Sequence, residues 1–284
     1  MIGHPARHSL SPVLHNAALH ALGLDWVYLA FEVAPEALVG AVAGVRALGI
    51  EGLSVTMPHK TPLAALLDGI SPVCAQLGAV NTVVRRGEGL WGESTDGAGL
   101  VDALRGDEGW DPAGKRIVVL GTGGAARAVT LALAEAGAAQ LVVVGRRPER
   151  ARRTAALAGA VGRVGGPEDA SEADAVINAT PVGMHRGEDR PEPGPGLRPL
   201  DVAEELPLGV SAASFGPGQL VVDLIYAPPL TPLLAAARAR GAAGVNGIGM
   251  LIEQAALQIR LWTGEDPPRV AMSAAALAAL SHRG

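Results

Sequence analysis

Residues 118–128, VVLGTGGAARA, join an apolar run to a glycine-rich turn and the start of an alanine-rich helical stretch. Gly121, Gly123 and Ala126 fit the spacing G-x-G-x-x-G/A. That spacing alone is weak in a chain with 38 glycines; the strand before it and the helix after it give it meaning. In that setting the first glycine makes a tight turn. The second lets backbone N–H groups approach a pyrophosphate, and the small residue at 126 lets helix and strand pack closely. A helix N-terminus then favours the negative charge. The stretch predicts a dinucleotide-binding turn inside a parallel sheet.

The surroundings repeat the same alternation. RIVVL (116–120) reads as a strand, the segment to Gly137 as a helix, QLVVVG (140–145) as a strand and 148–158 as a helix. DAVINAT (174–180) and QLVVDLIY (219–226) read as further strands, with a Pro/Gly-rich loop at 185–199 and a helix from Thr231-Pro232. Near-continuous apolar strands alternating with helices imply a parallel sheet covered on both faces. The second strand ends in GRRPER, with no carboxylate to hold ribose hydroxyls. Arg146, Arg147 and Arg150 stand there instead. Their guanidinium groups suit a 2′-phosphate, so the cofactor expected is NADP rather than NAD.

The N-terminal part is a second α/β unit. Strands are expected at 25–33, 52–57, 79–86 and 90–94, and helices from Ser11-Pro12, over 35–48, around 61–67 and from Thr95. The polar stretch 106–115 is the clearest connection. These readings place a substrate-binding domain at 1–101, completed by a helical tail at 247–284, and a nucleotide domain at 102–246.

Composition narrows the function classes. Hydrophobic residues make up 49% of the 284, ample for two cores, and aromatics only 3%, too few for base-stacking platforms. The net charge of −5 and the lack of a basic block argue against nucleic-acid or anionic-membrane partners. The single cysteine, Cys74, precludes an internal disulfide and fits a reducing cytoplasm. No apolar signal core opens the chain and no uninterrupted apolar span suits a membrane helix. No metal-ligand spacing is present.

Two rarities mark a site. Of 23 basic residues only Lys60 and Lys115 are lysine. Lys60 lies in GLSVTMPHKTPL (52–63), and lysine, unlike arginine, can give up its proton in a protein. The four asparagines, Asn16, Asn81, Asn178 and Asn246, lie in compact stretches beside small residues. Asparagine also gathers at turns for structural reasons, and a lysine after a strand or an aspartate beside Thr95 also suits a surface ion pair or a helix cap.

The stretches GHPARHSLSPVLHNAAL, GLSVTMPHK, GAVNTVV, ESTDGAG, VLGTGGAARAV, DAVINATPVGM and NGIGMLIEQAALQIRLWTG follow one another along nearly the whole chain. In this order they resemble the shikimate dehydrogenase family. The resemblance implies reversible NADPH-dependent reduction of 3-dehydroshikimate in chorismate and aromatic amino acid biosynthesis. It implies a catalytic pair, Lys60 and Asp96, and a carboxylate clamp, Ser9 and Ser11. Thr56, Asn81, Gln254 and Tyr226 would contact the substrate. Gly121, Gly123, Gly124, Ala125, Arg146, Arg147, Arg150, Thr180, Gly247 and Met250 would contact NADP. The chemistry asks for such groups: an alkoxide formed on a ring ketone needs a proton, and a polyol needs hydroxyls and amides. A monomer or homodimer is expected.

The sequence departs from the family at Ser54 and Ser94, where asparagine is common, which shortens two polar side chains. Only Met1 and Ile2 precede Gly3, so the family's first strand is expected to be short and the placement of Ser9 and Ser11 to suffer. Two other functions compete. An NAD-using quinate/shikimate dehydrogenase is disfavoured by the arginines. A nucleotide-binding regulatory homologue without catalysis is disfavoured by the joint presence of Lys60 and Asp96.

Overall fold

The computed structural model describes residues 1–7, 9–184 and 206–281. The expected loop at 185–199 lies outside them. The chain divides into two compact units, Met1–Trp110 with Gly249–Gly284, and Asp111–Ile248. The boundary does not fall at 101, because the helix Asp96–Gly106 runs through that position.

The first unit opens with β1 (Ile2–Gly3), α1 (Ser11–Ala21), β2 (Phe31–Glu32) and α2 (Leu38–Ala47). There follow β3 (Gly52–Ser54), β4 (Gly69–Ile70), α3 (Pro72–Leu77), β5 (Thr82–Arg86), β6 (Gly89–Glu93) and α4 (Asp96–Gly106). A four-stranded sheet runs β3-β5-β6-β4, and β1 pairs in parallel with β2. Short as it is, β1 is seated: Ile2 bridges to Val55 and is buried with Val33, Leu53, Val83 and Leu90.

The expected strand at 25–33 shrinks to two residues. The reason is Asn16 on α1, whose amide takes both the N–H and the C=O of Tyr28 (2.8 and 2.9 Å). A segment tied to a side chain has no backbone groups left there for a ladder. The helix expected around 61–67 is a 3-10 turn, Pro62–Leu66. Strand β4 and helix α3 escaped the sequence reading, both being too short to show a period.

The second unit holds β7 (Arg116–Leu120), α5 (Gly124–Glu135), β8 (Gln140–Val144), α6 (Pro148–Ala156), β9 (Gly162–Val164) and β10 (Ala175–Asn178). It is completed by β11 (Leu220–Asp223), α7 (Pro232–Ala239) and β12 (Ala243–Asn246). All six strands are parallel, in the order β12-β11-β10-β7-β8-β9. This is the doubly wound α/β arrangement read from the sequence, with its reversal of strand order between β7 and β10. Strands β9 and β12 lie at its edges and were not foreseen.

Helices α8 (Ile248–Thr263) and α9 (Arg269–Ser281) follow, and α9 packs along α1 in the first unit. Helix α8 meets α4 backbone to backbone: a Cβ on Gly99 would stand 2.6 Å from the Gln254 nitrogen. Gly99→Ala should therefore lower stability by roughly 1–3 kcal/mol through overpacking, despite the better helix propensity of alanine. Gly106→Ala, whose Cβ meets open space, should cause no loss. Urea midpoints of the two variants check this.

His15, fully buried, joins α1 to α8. Its ring stacks on Tyr28 at 4.1 Å and lies 5.3 Å from the Trp262 ring. Burial in this apolar setting pushes its pKa down from 6.5 to about 4, against smaller upward effects of the Ser11 carbonyl and Gln258. A base whose folded pKa is depressed gives full stability above the unfolded pKa and loses it as pH falls toward the folded one. Stability should therefore decline by roughly 3 kcal/mol between pH 6.5 and 4 from this group. NMR titration should show the His15 imidazole neutral at pH 6 and becoming protonated only near pH 4; protonation near pH 6 would contradict the assignment.

Candidate active site

Lys60 is delivered by a tight turn after β3. His59 N–H donates to the Thr56 carbonyl (3.0 Å), and the buried His59 ring bonds the Val33 carbonyl through Nε2 (2.7 Å). The Lys60 carbonyl accepts from Val80 N–H (2.7 Å). With its backbone held at both sides, the lysine directs Nζ to Asp96 Oδ2 at 2.5 Å. The side chains are 19% and 10% exposed, so the pair is shielded yet reachable.

Asp96 is the first residue of α4, with Thr95 at the N-cap. The helix N-terminus favours its charge. Its carboxylate does not cap the helix: Oδ2 takes Lys60 and Oδ1 takes the Asn81 amide (2.7 Å). Asn81 also donates to Thr95 Oγ1 (2.9 Å) and accepts from the Thr95 N–H (2.9 Å). These bonds fix which end of the amide faces the carboxylate. A partly buried ammonium–carboxylate contact oriented by an amide can hold a proton beside a reacting oxygen and exchange it.

Ser9 and Ser11 also come together. Ser9 Oγ lies 3.1 Å from Ser11 Oγ and accepts the Ser11 N–H at 3.1 Å. Ser11 is not the N-cap; it is the first helical residue, after Leu10 in a helical conformation. The two hydroxyls meet because Ser9 turns its side chain back to the helix start. Thr56 stands half-buried at the turn before Lys60. Gln254 lies on α8 against Gly99 of α4, its amide donating to the Leu251 carbonyl (2.9 Å). Tyr226 belongs to the second unit, half-buried after β11.

Sequence reading passed over Thr82, His15 and Gln258, all buried polar side chains in the first unit. The available signal was Gln258, one helical turn beyond Gln254 on an otherwise apolar face of α8.

The turn after β7 fits a dinucleotide. Gly121 has φ +122°, where a Cβ would meet the Ala179 carbonyl at 3.0 Å. Gly123 is the N-cap of α5, and a Cβ there would meet nothing within 4 Å, leaving its backbone open to a ligand. Gly124 and Ala125 begin the helix, and Ala126 is fully buried against the sheet. Thr180, after β10, is anchored by Asn178 Oδ1 through its N–H (3.0 Å) and hydroxyl (2.7 Å). Arg146, Arg147 and Arg150 are exposed and form no ion pair among the described residues, whereas neighbouring Arg152 pairs with Glu149. Free guanidinium groups at the end of β8 suit a 2′-phosphate. Gly247 is wedged against the Leu224 carbonyl, 2.1 Å from where a Cβ would stand, and Met250 is half-buried on α8. Among the described residues no group of His, Cys, Asp and Glu could hold a metal ion, and no helix is long and apolar enough to cross a membrane.

Residues 1–83 match the shikimate dehydrogenase substrate binding domain and residues 247–277 the shikimate 5′-dehydrogenase C-terminal domain. Residues 116–187 match the family described as NADP oxidoreductase, coenzyme F420-dependent. The NADP(+) shikimate dehydrogenase of Moorella thermoacetica is 45% identical over 96% of this chain and 90% of that protein. That of Methanopyrus kandleri is 44% identical over 98% and 93%. The crystal structure of shikimate 5-dehydrogenase from Thermus thermophilus with NADP(H) and shikimate superposes with a TM-score of 0.85 at 38% identity, covering 98% of both chains. Quinate dehydrogenase from Corynebacterium glutamicum, in complex with NAD, gives 0.82 at 30% identity, over 98% and 97%. At this identity over nearly its full length, and with a lysine, an aspartate and an asparagine bonded as described, the chain belongs to the shikimate dehydrogenase family.

Proposed function

We propose that the protein is an NADP-dependent shikimate dehydrogenase, interconverting 3-dehydroshikimate and shikimate. The observation that carries this reading is the contact between Lys60 Nζ and Asp96 Oδ2, at 2.5 Å and oriented by Asn81. In this reading the unit with Lys60 binds the substrate and the unit around the Gly121 turn binds NADP. The paired Ser9 and Ser11 hydroxyls hold the ring carboxylate, beside the N-terminus of α1. Thr56, Asn81 and Gln254 hydrogen-bond the ring hydroxyls.

NADPH, when bound, supplies the hydride. Lys60 stabilises the alkoxide that develops on the ring oxygen and protonates it. Asp96 orients the ammonium beforehand and shares its proton, so that little reorganisation is needed as charge develops. In the reverse direction the same pair withdraws the hydroxyl proton. Gly121, Gly123, Gly124, Ala125, Thr180 and Gly247 would contact the cofactor, and Arg146, Arg147 and Arg150 would hold its 2′-phosphate. These arginines favour NADP over the NAD of the quinate dehydrogenase relative. The buried Cys74 and this biosynthetic role fit a cytoplasmic enzyme, acting as a monomer or homodimer.

The deciding assay is shikimate oxidation followed by cofactor absorbance with NADP and, in parallel, NAD; no turnover of shikimate with either cofactor would refute the reading. Lys60→Arg keeps charge but cannot exchange a proton, and Lys60→Ala removes both. Each should lower turnover by roughly 10²–10⁴-fold, with substrate affinity less affected. Near-normal turnover in Lys60→Arg would reduce the lysine to an electrostatic anchor. Arg146→Ala should weaken NADPH by about 1.5–3 kcal/mol and leave NADH nearly unchanged. Equal losses for both cofactors, measured by fluorescence titration, would make the arginine structural.

A further inference from the structure

Asn81 does not stand alone behind Asp96. Its Oδ1 accepts the Thr82 hydroxyl (2.8 Å), Thr82 Oγ1 accepts the Gln258 amide (2.9 Å), and Gln258 Oε1 accepts the Ser54 hydroxyl (2.8 Å). The same Oε1 faces His15 Nε2 (3.0 Å), and His15 Nδ1 lies 2.8 Å from the Ser11 carbonyl. Thr82, Gln258 and His15 are at most 1% exposed and Ser54 is 6% exposed. One buried glutamine on α8 thus connects the Asp96 end of the site to the backbone of Ser11.

The chain of contacts has a hydrogen deficit. Both its ends, the Ser11 carbonyl and Asn81 Oδ1, are acceptors, and Asn81 cannot turn because its Nδ2 faces the Asp96 carboxylate. Four contacts separate these ends. Along them a neutral imidazole, an amide and a hydroxyl each contribute one hydrogen, which leaves one contact without. With its hydrogen on Nδ1, toward the Ser11 carbonyl, His15 presents an Nε2 lone pair that favours a turned Gln258 amide; with it on Nε2, His15 donates to Gln258 Oε1 and holds the amide as it stands. A turned amide would present its oxygen to Thr82, whose single hydrogen would then be contested between Gln258 and Asn81. In the structure the Ser54 hydroxyl donates to Gln258 Oε1, and the amide stands with its nitrogen toward Thr82. The hydrogen-poor contact then falls at His15, far along the chain from Asp96, and the Thr82–Asn81 bond stays intact.

We propose that Gln258, bonded by the Ser54 hydroxyl, is a positioning residue for the Lys60–Asp96 pair, acting through Thr82 and the Asn81 amide. The proposal rests on the reading of that pair as the proton-handling centre. It also gives Ser54 a role away from the substrate: its hydroxyl donates to the oxygen of a buried amide.

Thr82→Val removes the linking hydroxyl at nearly constant volume, and Thr82→Ser restores it. Thr82→Val should lower kcat for shikimate oxidation roughly tenfold or more, as misplacement of reacting groups does, with KM changed by less than about threefold. Thr82→Ser should recover most of the lost rate. Ser54→Ala, a milder change should Thr82→Val fold poorly, should also reduce kcat more than it alters KM. A readout independent of turnover is available because Lys60 and Lys115 are the only lysines. Acetic anhydride labelling followed by mass spectrometry should show the Lys60-to-Lys115 ratio rising severalfold in folded Thr82→Val, as the ammonium loses its fixed partner. An unchanged labelling ratio, unchanged kcat in both Thr82→Val and Ser54→Ala, or a Thr82→Ser loss as deep as that of Thr82→Val would each overturn the proposal. A wild-type protein inert toward shikimate would instead refute the functional reading, and the labelling would still decide this one.

Discussion

Asp96 is a nearly buried carboxylate, and a charge in that position is tolerated only if it is paired and hydrogen-bonded. Lys60 supplies the pairing and Asn81 the hydrogen bond. Much of the first unit serves those two contacts. The turn after β3 is tied at Thr56, His59 and Lys60 so that the lysine arrives at the right height. Helix α4 begins at Asp96 itself, so its dipole is used where the charge is. Asn81, at the head of β5, places its amide between the helix start and the strand, and bonds Thr95 through both backbone and side chain. Removing any one of these would leave a charge or a polar group shielded from most of the solvent that could take it over.

The second unit was legible in the sequence because its signals are local. Apolar strands, each followed by a helix, state the parallel sheet outright, and Gly121, Gly123 and Ala126 lie within one turn and the helix start it leads into. The arginines after β8 are likewise adjacent to the strand whose end they mark. The edge strands β9 and β12 were missed since both are short and only partly buried, so neither shows a continuous apolar run.

The first unit was legible in outline and not in detail. Lys60 and Asp96 could be suspected from rarity and from family resemblance, but nothing near either residue says that they touch. The hydrogen bonds that hold the site join residues 176 and 204 positions apart, and no periodicity reports a contact of that range. The asparagines teach the same lesson. Asn16 pins the segment around Tyr28, Asn178 anchors Thr180, and Asn246 caps the start of α8 through the Ile248 N–H. Among the described residues only Asn81 reaches the Lys60–Asp96 pair. Rarity in composition pointed to four places where the backbone is held by a side chain, and geometry separated the one that bonds Asp96.

Helices α8 and α9 come after the whole of the second unit in the chain, yet they belong to the first. During synthesis the second unit has every residue it needs as soon as its own contiguous span has emerged. The first does not: without α8 it lacks Gln258 beneath Thr82 and Trp262 over Gly52, and without α9 it lacks the helix that covers α1. Its early segments must wait as a partly formed sheet while the whole of the second unit is added, with apolar surface exposed in the interval. The order of ribosomal synthesis is therefore inverted in folding, the internal unit closing first and the N-terminal one last. The loop closure that joins the two ends of the first unit is then shortened by the folding of the span between them.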